Sequence, residues 1–250
     1  VDDDQLLEVL HEAVTAVAAA LAGLDDWGLA GTRPDQYRSD LVADAAAVPI
    51  LVRAGLGVLS EESGLAGAER PIVVALDPVD GSTNAAHGLP WYATSLCAVD
   101  EEGPRVAVVA NQATGVRFEA VRGGGARRAG RPLTASGCEA LERAIVALSG
   151  YPARHLGWGQ FRALGAAALD LCAVAEGILD AYVDCSGSGQ GPWDYLGGAL
   201  VCREAGAAVV DARGRPLVAL DHADRRVPVA AGTSALLSSL VTARASLPGE

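Results

Sequence analysis

Five apolar residues, Ile72 to Leu76, run without a break into Asp77-Pro78-Val79-Asp80-Gly81-Ser82-Thr83-Asn84. A short apolar run bounded by turn residues reads as a buried strand, and this one delivers two carboxylates at its C-terminal end. Pro78 stiffens the turn and removes a backbone donor. Hard divalent cations take oxygen ligands of the kind grouped here: carboxylates, a backbone carbonyl such as that of Val79, and water. Gly81 permits close approach, and the amides of Gly81, Ser82 and Thr83 then open a helix whose free N–H groups suit an anion. One octapeptide thus offers ligands for a cation beside donors for a phosphate. Asp-Pro and Asp-Gly also mark ordinary surface turns, so the segment has to be weighed with the rest of the chain.

The chain of 250 residues fits one large domain or two modest lobes. Its net charge of -12 argues against nucleic acid as a partner, since phosphate backbones are bound through clustered Lys and Arg. No uninterrupted apolar run approaches the roughly 18 residues needed to span a bilayer, and no membrane role is expected. The acidic start, Val1-Asp2-Asp3-Asp4, is unlike the basic opening of a secretory signal, so a cytoplasmic protein is expected. The five cysteines, at 97, 138, 172, 185 and 202, form no C-x-x-C, and the four histidines form no zinc-like cluster. Any metal here has to be held by oxygen.

Helical spacing predicts a first helix from Asp3 to Leu24 and a second from about Ser39 to Ala54, which Pro49 should kink or divide. Gly57 to Ser60 and Pro71 to Leu76 read as short buried strands, with Glu61-Glu62-Ser63-Gly64 between them. Ala93 to Val99, Arg105 to Asn111 and Val116 to Val121 read as an antiparallel meander, and Gly123-Gly124-Gly125 as a plain turn. Beyond about Glu142 the pattern changes to strand–helix alternation. Strands are predicted at 144–148, 179–184, 207–210 and 227–231, and helices at 162–176, 193–205 and 233–244. Such alternation favours a mainly parallel sheet with helices on its faces. Two lobes are expected, an α+β lobe over 1–142 and an α/β lobe over 143–250.

Glu61-Glu62-Ser63-Gly64, then the octapeptide, then Trp193-Asp194 at a helix start resemble the three signature segments of the inositol monophosphatase family. The segment Gly165 to Leu171 and the following Asp180-Ala181-Tyr182 resemble that family too. The resemblance implies the layered α-β-α-β-α sandwich of the inositol monophosphatase/fructose-1,6-bisphosphatase type, with the site between two lobes. It implies a phosphomonoesterase using about two or three magnesium ions. Glu61, Asp77, the Val79 carbonyl, Asp80 and Asp194 are then the metal ligands. Gly81, Ser82 and Thr83 cradle the phosphate, and the Ser82 hydroxyl orients the attacking water. Glu62 supports the site. An acid of the second helix helps to activate water, and Asp40 is preferred over Asp44. No Cys, Ser or His is arranged as a covalent nucleophile, so direct in-line attack by water follows. Lithium sensitivity and a homodimer are family expectations.

Three departures bear on substrate. Only Ser149 to Leu164 separates the strand near Leu148 from the Gly165 helix, where the family has a further helix. The stretch from Asp184 to Asp194 is longer than in inositol-specific members, and Asp184 stands where those carry a Glu that meets an inositol hydroxyl. Ala166 replaces a hydroxyl residue near that ring. The expected substrate is a small phosphate ester, an inositol monophosphate or a related sugar or polyol phosphate; histidinol phosphate and fructose 1,6-bisphosphate are alternatives. The 186–191 loop is either a lid or specificity element or a tolerant turn. From other classes, a regulatory binding protein and a metal-stabilised structural module remain open.

Overall fold

The computed structural model describes residues 1–247. Helices α1 (Asp3–Ala22) and α2 (Arg38–Arg53) precede strands β1 (Gly57–Ser60), β2 (Gly64–Ala66) and β3 (Val73–Asp80). A short helix α3 (Ser82–Ala86) follows, then β4 (Ala93–Asp100), β5 (Gly103–Asn111), β6 (Arg117–Val121), β7 (Gly125–Arg128) and β8 (Arg131–Pro132). The second half contains β9 (Ile145–Ser149), β10 (Gln160–Arg162), α4 (Ala167–Ala175), β11 (Ala181–Asp184), α5 (Pro192–Glu204), β12 (Ala208–Asp211), β13 (Pro228–Ala231) and α6 (Ser234–Ala245). The first eight strands form one sheet in the order β2-β1-β3-β4-β5-β6-β7-β8, and the other five form a second in the order β10-β9-β11-β13-β12.

Period-two alternation of side chains creates the layers. Val74, Leu76, Leu96, Ala98, Val106 and Val108 face a core closed by Leu6, Leu10 and Val17 of α1 and Ala43, Ala47 and Leu51 of α2. Ala75, Cys97, Ala107 and Val109 face the opposite core, filled by α4 and α5 and closed by Ala147, Tyr182 and Ala230 of the second sheet. Val146, Val183 and Val229 point to the far side, where Leu236 and Leu240 of α6 cover them. Five layers result, α1/α2, sheet, α4/α5, sheet, α6, which is the expected α-β-α-β-α sandwich. Gly197 and Gly198 let α5 lie close in the middle layer. A Cβ at the first would sit 2.7 Å from Ser95 Oγ, and at the second 2.6 Å from Leu171 Cβ.

Several local expectations change. The second sheet is mixed rather than mainly parallel: β9 pairs in parallel with β10 and β11, but β13 is antiparallel to both β11 and β12. The chain returns from β12 to β13 through irregular structure beside its own strand, without the helical crossover that parallel pairing requires. Pro49 lies inside α2 and does not divide it, since the helix continues to Arg53. The helix predicted from Arg162 begins only at Ala167, and Gln160–Arg162 forms instead the edge strand β10. Helix α1 has the length and mean hydropathy of a membrane span, although no uninterrupted apolar run suggested it; one of its faces packs on the sheet.

Candidate active site

Strand β1 runs parallel to β3, with Leu59 opposite Ala75 and Ser60 opposite Leu76. Both strands therefore end together, and the Glu61 amide continues the ladder by donating to Leu76 O at 3.1 Å. This pairing sets Glu61 beside Asp77, although the two are far apart in sequence. Asp194 arrives from the other half of the chain, in the first turn of α5, where its Oδ2 accepts from Gly191 N at 2.7 Å. Carboxylate oxygens of Glu61, Asp77 and Asp194 all lie within 4.8 Å of one another.

Such a group is hostile to charge. Burial, then the charges of Asp194, Glu62 and Asp40, push the Glu61 carboxyl up to about 8. Burial, followed by Glu61, Asp80 and Asp194, holds the Asp77 carboxyl well above the usual range. Burial and then Asp80 raise Asp194 to about 7, against the bond from Gly191 N. Oxygen donors that are buried, mutually repelling and brought to one point suit a hard divalent cation, which neutralises them together. The donor set fits a metal ion of this type and lacks the imidazole and thiolate that zinc prefers.

Asp80 lies at the same strand end, past a register irregularity between Asp77 and Asp80. Its Oδ1 and Oδ2 accept from Ala167 N at 3.2 Å and Ala168 N at 2.7 Å. It therefore caps α4 across the layer, and this cap explains why the helix starts where it does. Burial still pushes Asp80 up to about 8, the bonds from Ala168 and Ala167 notwithstanding. Val79 between them is buried, and its amide donates to Asp77 Oδ1 at 3.0 Å. Gly81 follows in the left-handed region with φ 85°, opening α3. A Cβ there would approach Trp91 O at 3.0 Å and Gly165 O at 3.1 Å.

Ser82, Asp40, Glu61 and Glu62 line a cleft of about 360 Å³ together with Arg33, Trp193, His222 and Arg225. Asp40 stands in the first turn of α2 and accepts from Tyr37 N at 2.9 Å. Burial raises its carboxyl to about 6, while the Tyr37 amide and the Ser39 and Ser82 hydroxyls oppose the rise. Asp44, one turn on, faces away from the cleft and accepts from Ser60 Oγ and Ser63 Oγ. Thr83 Oγ1 donates to Tyr37 Oη at 3.2 Å. Glu62 is held by Arg33 Nη2 and Gln36 Nε2, which tie the 33–37 loop over the cleft.

On the other side of the carboxylates lies a cleft of about 580 Å³, reached by Asp80, Asp170, Asp194, Ser149, Tyr151 and the 186–190 loop. Asp184 does not line it. Its carboxylate is fully buried, with Oδ1 accepting from Ser186 N at 2.7 Å, so the loop stands between it and the cleft. Gln190 is buried beside the cleft, its Nε2 donating to Tyr182 Oη and its Oε1 without a partner. Asp170 went unnoticed as a site residue. It accepts from Trp91 Nε1 at 2.9 Å, and burial lifts it to about 7. The available signal was a lone acid in an otherwise apolar helix. Asn84 was likewise missed; its Nδ2 donates to Trp91 O and Leu164 O, both at 2.7 Å, and pins α3 to this wall.

Comparison with known proteins points the same way. The model of the inositol monophosphatase family matches residues 52–247. A fructose-1,6-bisphosphatase/inositol-1-monophosphatase from Archaeoglobus fulgidus is 32% identical over 226 residues, covering 86% of this chain and 88% of that one. A protein described as Nus factor SuhB, from Escherichia coli, is 34% identical over 173 residues, covering 63% of each. The solved inositol monophosphatase of Anabaena (Nostoc) sp. superposes with a TM-score of 0.82 at 27% identity, covering 98% of this chain and 97% of that one.

Proposed function

The chain belongs to the inositol monophosphatase family of phosphatases, and from that premise we propose that it hydrolyses a small sugar or polyol phosphate with magnesium. The observation that carries this reading is the convergence of Glu61, Asp77 and Asp194 within 4.8 Å, between two clefts. These three carboxylates hold the metal, with Asp80 and the Val79 carbonyl beside them. When bound, magnesium neutralises the phosphate and the acids and lowers the pKa of a coordinated water. Ser82 and Thr83 bind the phosphate oxygens at the start of α3. Phosphoryl transfer needs mainly positioning and charge neutralisation, which these groups supply without a covalent nucleophile.

Asp40 takes the proton from the attacking water, which the Ser82 hydroxyl orients. A carboxyl raised to about 6 is well matched to that task near neutral pH. The alcohol occupies the larger cleft, against Ser149, Ala166 and Gln190. Inositol 1-phosphate and fructose 1,6-bisphosphate are both candidate substrates, in keeping with the dual description of the Archaeoglobus relative. The deciding experiment is phosphate release from a panel of esters with magnesium, including histidinol phosphate, for the parent chain and Asp77→Asn. Release that the substitution abolishes supports the reading; no release from any ester overturns it.

A second reading, a non-catalytic binding role, is favoured by the likeness to the Nus factor. The complete carboxylate set speaks against it. Recovery of RNA polymerase or RNA by the immobilised chain, together with no turnover, is the result that would replace the enzyme reading.

A further inference from the structure

The irregular return from β12 to β13 does more than close the second sheet, because residues 220–226 reach across to the end of the first. Leu220 packs on Leu59 of β1, Val73 of β3 and Trp193 of α5. His222 Nε2 stands 3.1 Å from the Glu61 carbonyl oxygen. A carbonyl can only accept, so Nε2 carries the proton and donates it to this bond. The same imidazole lies on Trp193, the residue before Asp194, with 4.8 Å between ring centroids and 36° between planes. The Arg225 guanidinium stands over that indole at 5.2 Å, and its Nη1 donates to His222 O at 2.9 Å, which braces the turn from within. Arg226 then pairs with Gln190 of the 186–190 loop through two backbone bonds, of 2.7 and 2.9 Å.

Glu61 is thereby pinned on both sides of its Cα. Leu76 O in the first sheet fixes its amide, and His222 from the other half of the chain fixes its carbonyl. With both flanking peptide planes held, φ and ψ of Glu61 are set, and only its side-chain rotations remain free. Asp194 is held by its own bond from Gly191 N and by the stacking of its neighbour Trp193 on the imidazole. One ring therefore touches the backbone of one carboxylate and the neighbour of another, although separate elements deliver the two. We propose that His222 is a positioning residue for the metal site, fixing Glu61 relative to Asp194 before the cation arrives. This role rests on the metal reading of Glu61, Asp77 and Asp194 given above. Ligands ordered in advance lose less freedom on binding. Groups behind the ligands of a metal site typically set its affinity by a factor of about 10–100.

The test is magnesium binding by the full chain, measured by competition with a metallochromic dye, for the parent, His222→Leu and His222→Gln. Leucine fills the half-buried place without a donor, whereas the glutamine amide reaches the position of Nε2 and can donate in its stead. His222→Leu should weaken magnesium binding about tenfold, and His222→Gln less than about threefold. Equal weakening by the two variants, or weakening by neither, overturns the positioning role. A metal-free thermal midpoint that collapses in His222→Leu overturns it too, since the bond then holds the fold rather than the site. The dye reads binding without turnover, so a parent that binds magnesium and releases no phosphate removes the phosphatase reading alone. A parent that binds no magnesium removes both.

Discussion

Asp211 and Asp77 are both aspartates at or near the end of a strand, 3% and 2% exposed, and their surroundings drive them in opposite directions. Asp211 receives Val227 N at 2.7 Å, the amides of Arg213 and Arg215, and the Arg215 guanidinium. Burial pushes its carboxyl up, but these bonds outweigh burial and bring it down to about 2. Asp77 has as its neighbours Glu61, Asp80 and Asp194, which raise it further beyond what burial does. The lesson is one of satisfaction. A buried carboxylate fully supplied with donors holds the fold together, whereas one surrounded by other acids is complete only when a cation arrives.

The largest effect expected is on Asp77. Asp77→Asn should lower phosphate release by at least about 10³-fold, while the thermal midpoint of the metal-free chain stays level or rises as repulsion is relieved. Activity retained within tenfold would place the chemistry elsewhere. Asp211→Ala should do the reverse. It leaves Arg215 unpaired and several amides without an acceptor, so denaturant titration should show a loss of about 3 kcal/mol, while folded protein keeps its turnover. If both substitutions destabilise alike, the contrast between the two acids fails.

Smaller effects sharpen the picture around the metal. Ser82→Ala should cut kcat about 10²-fold with little change in metal affinity, measured by competition with a metallochromic dye. Gly81→Ala forces a side chain into the left-handed region against Trp91 O and should cost about 2 kcal/mol in chemical denaturation. The most gradual effect is on pH. Glu61 and Asp80 sit near 8 and Asp194 near 7 in the folded chain, above their unfolded values. The native state therefore keeps protons that the unfolded state has lost, and stability falls as pH rises from about 4 toward 8. Calorimetry without metal should show a falling midpoint over that window, and magnesium should reverse it. Asp211 works with the other sign: its contribution is present above about 4 and is lost as pH falls toward 2.

The elements that follow from local pattern were legible. The helical spacing of Leu6, Leu10, Ala13 and Val17 is a property of the chain before it folds, and so is the apolar run leading into Asp77. The meander 93–121 rests on strands joined by short turns, and it is present as read. Boundaries set by distant partners were not legible. Helix α4 starts at Ala167 because Asp80, on another strand, accepts from its first amides. The direction of β13 depends on which neighbour it finds after a long irregular return, and nothing in Val227 to Ala231 encodes that.

The same division runs through the site. Which residues offer oxygen to a cation, and in what order, is legible from the chain alone, because carboxylate type and spacing are local. Tertiary structure alone decided that Glu61, Asp77 and Asp194 meet within 4.8 Å, since this needs β1 parallel to β3 and α5 close against the sheet through Gly197. It also decided that Asp40 lines the cleft while Asp44 turns to Ser60 and Ser63, and that Asp184 lies behind its own loop. Residue chemistry is carried along the chain, but electrostatic environment is a sum over neighbours that only packing brings together.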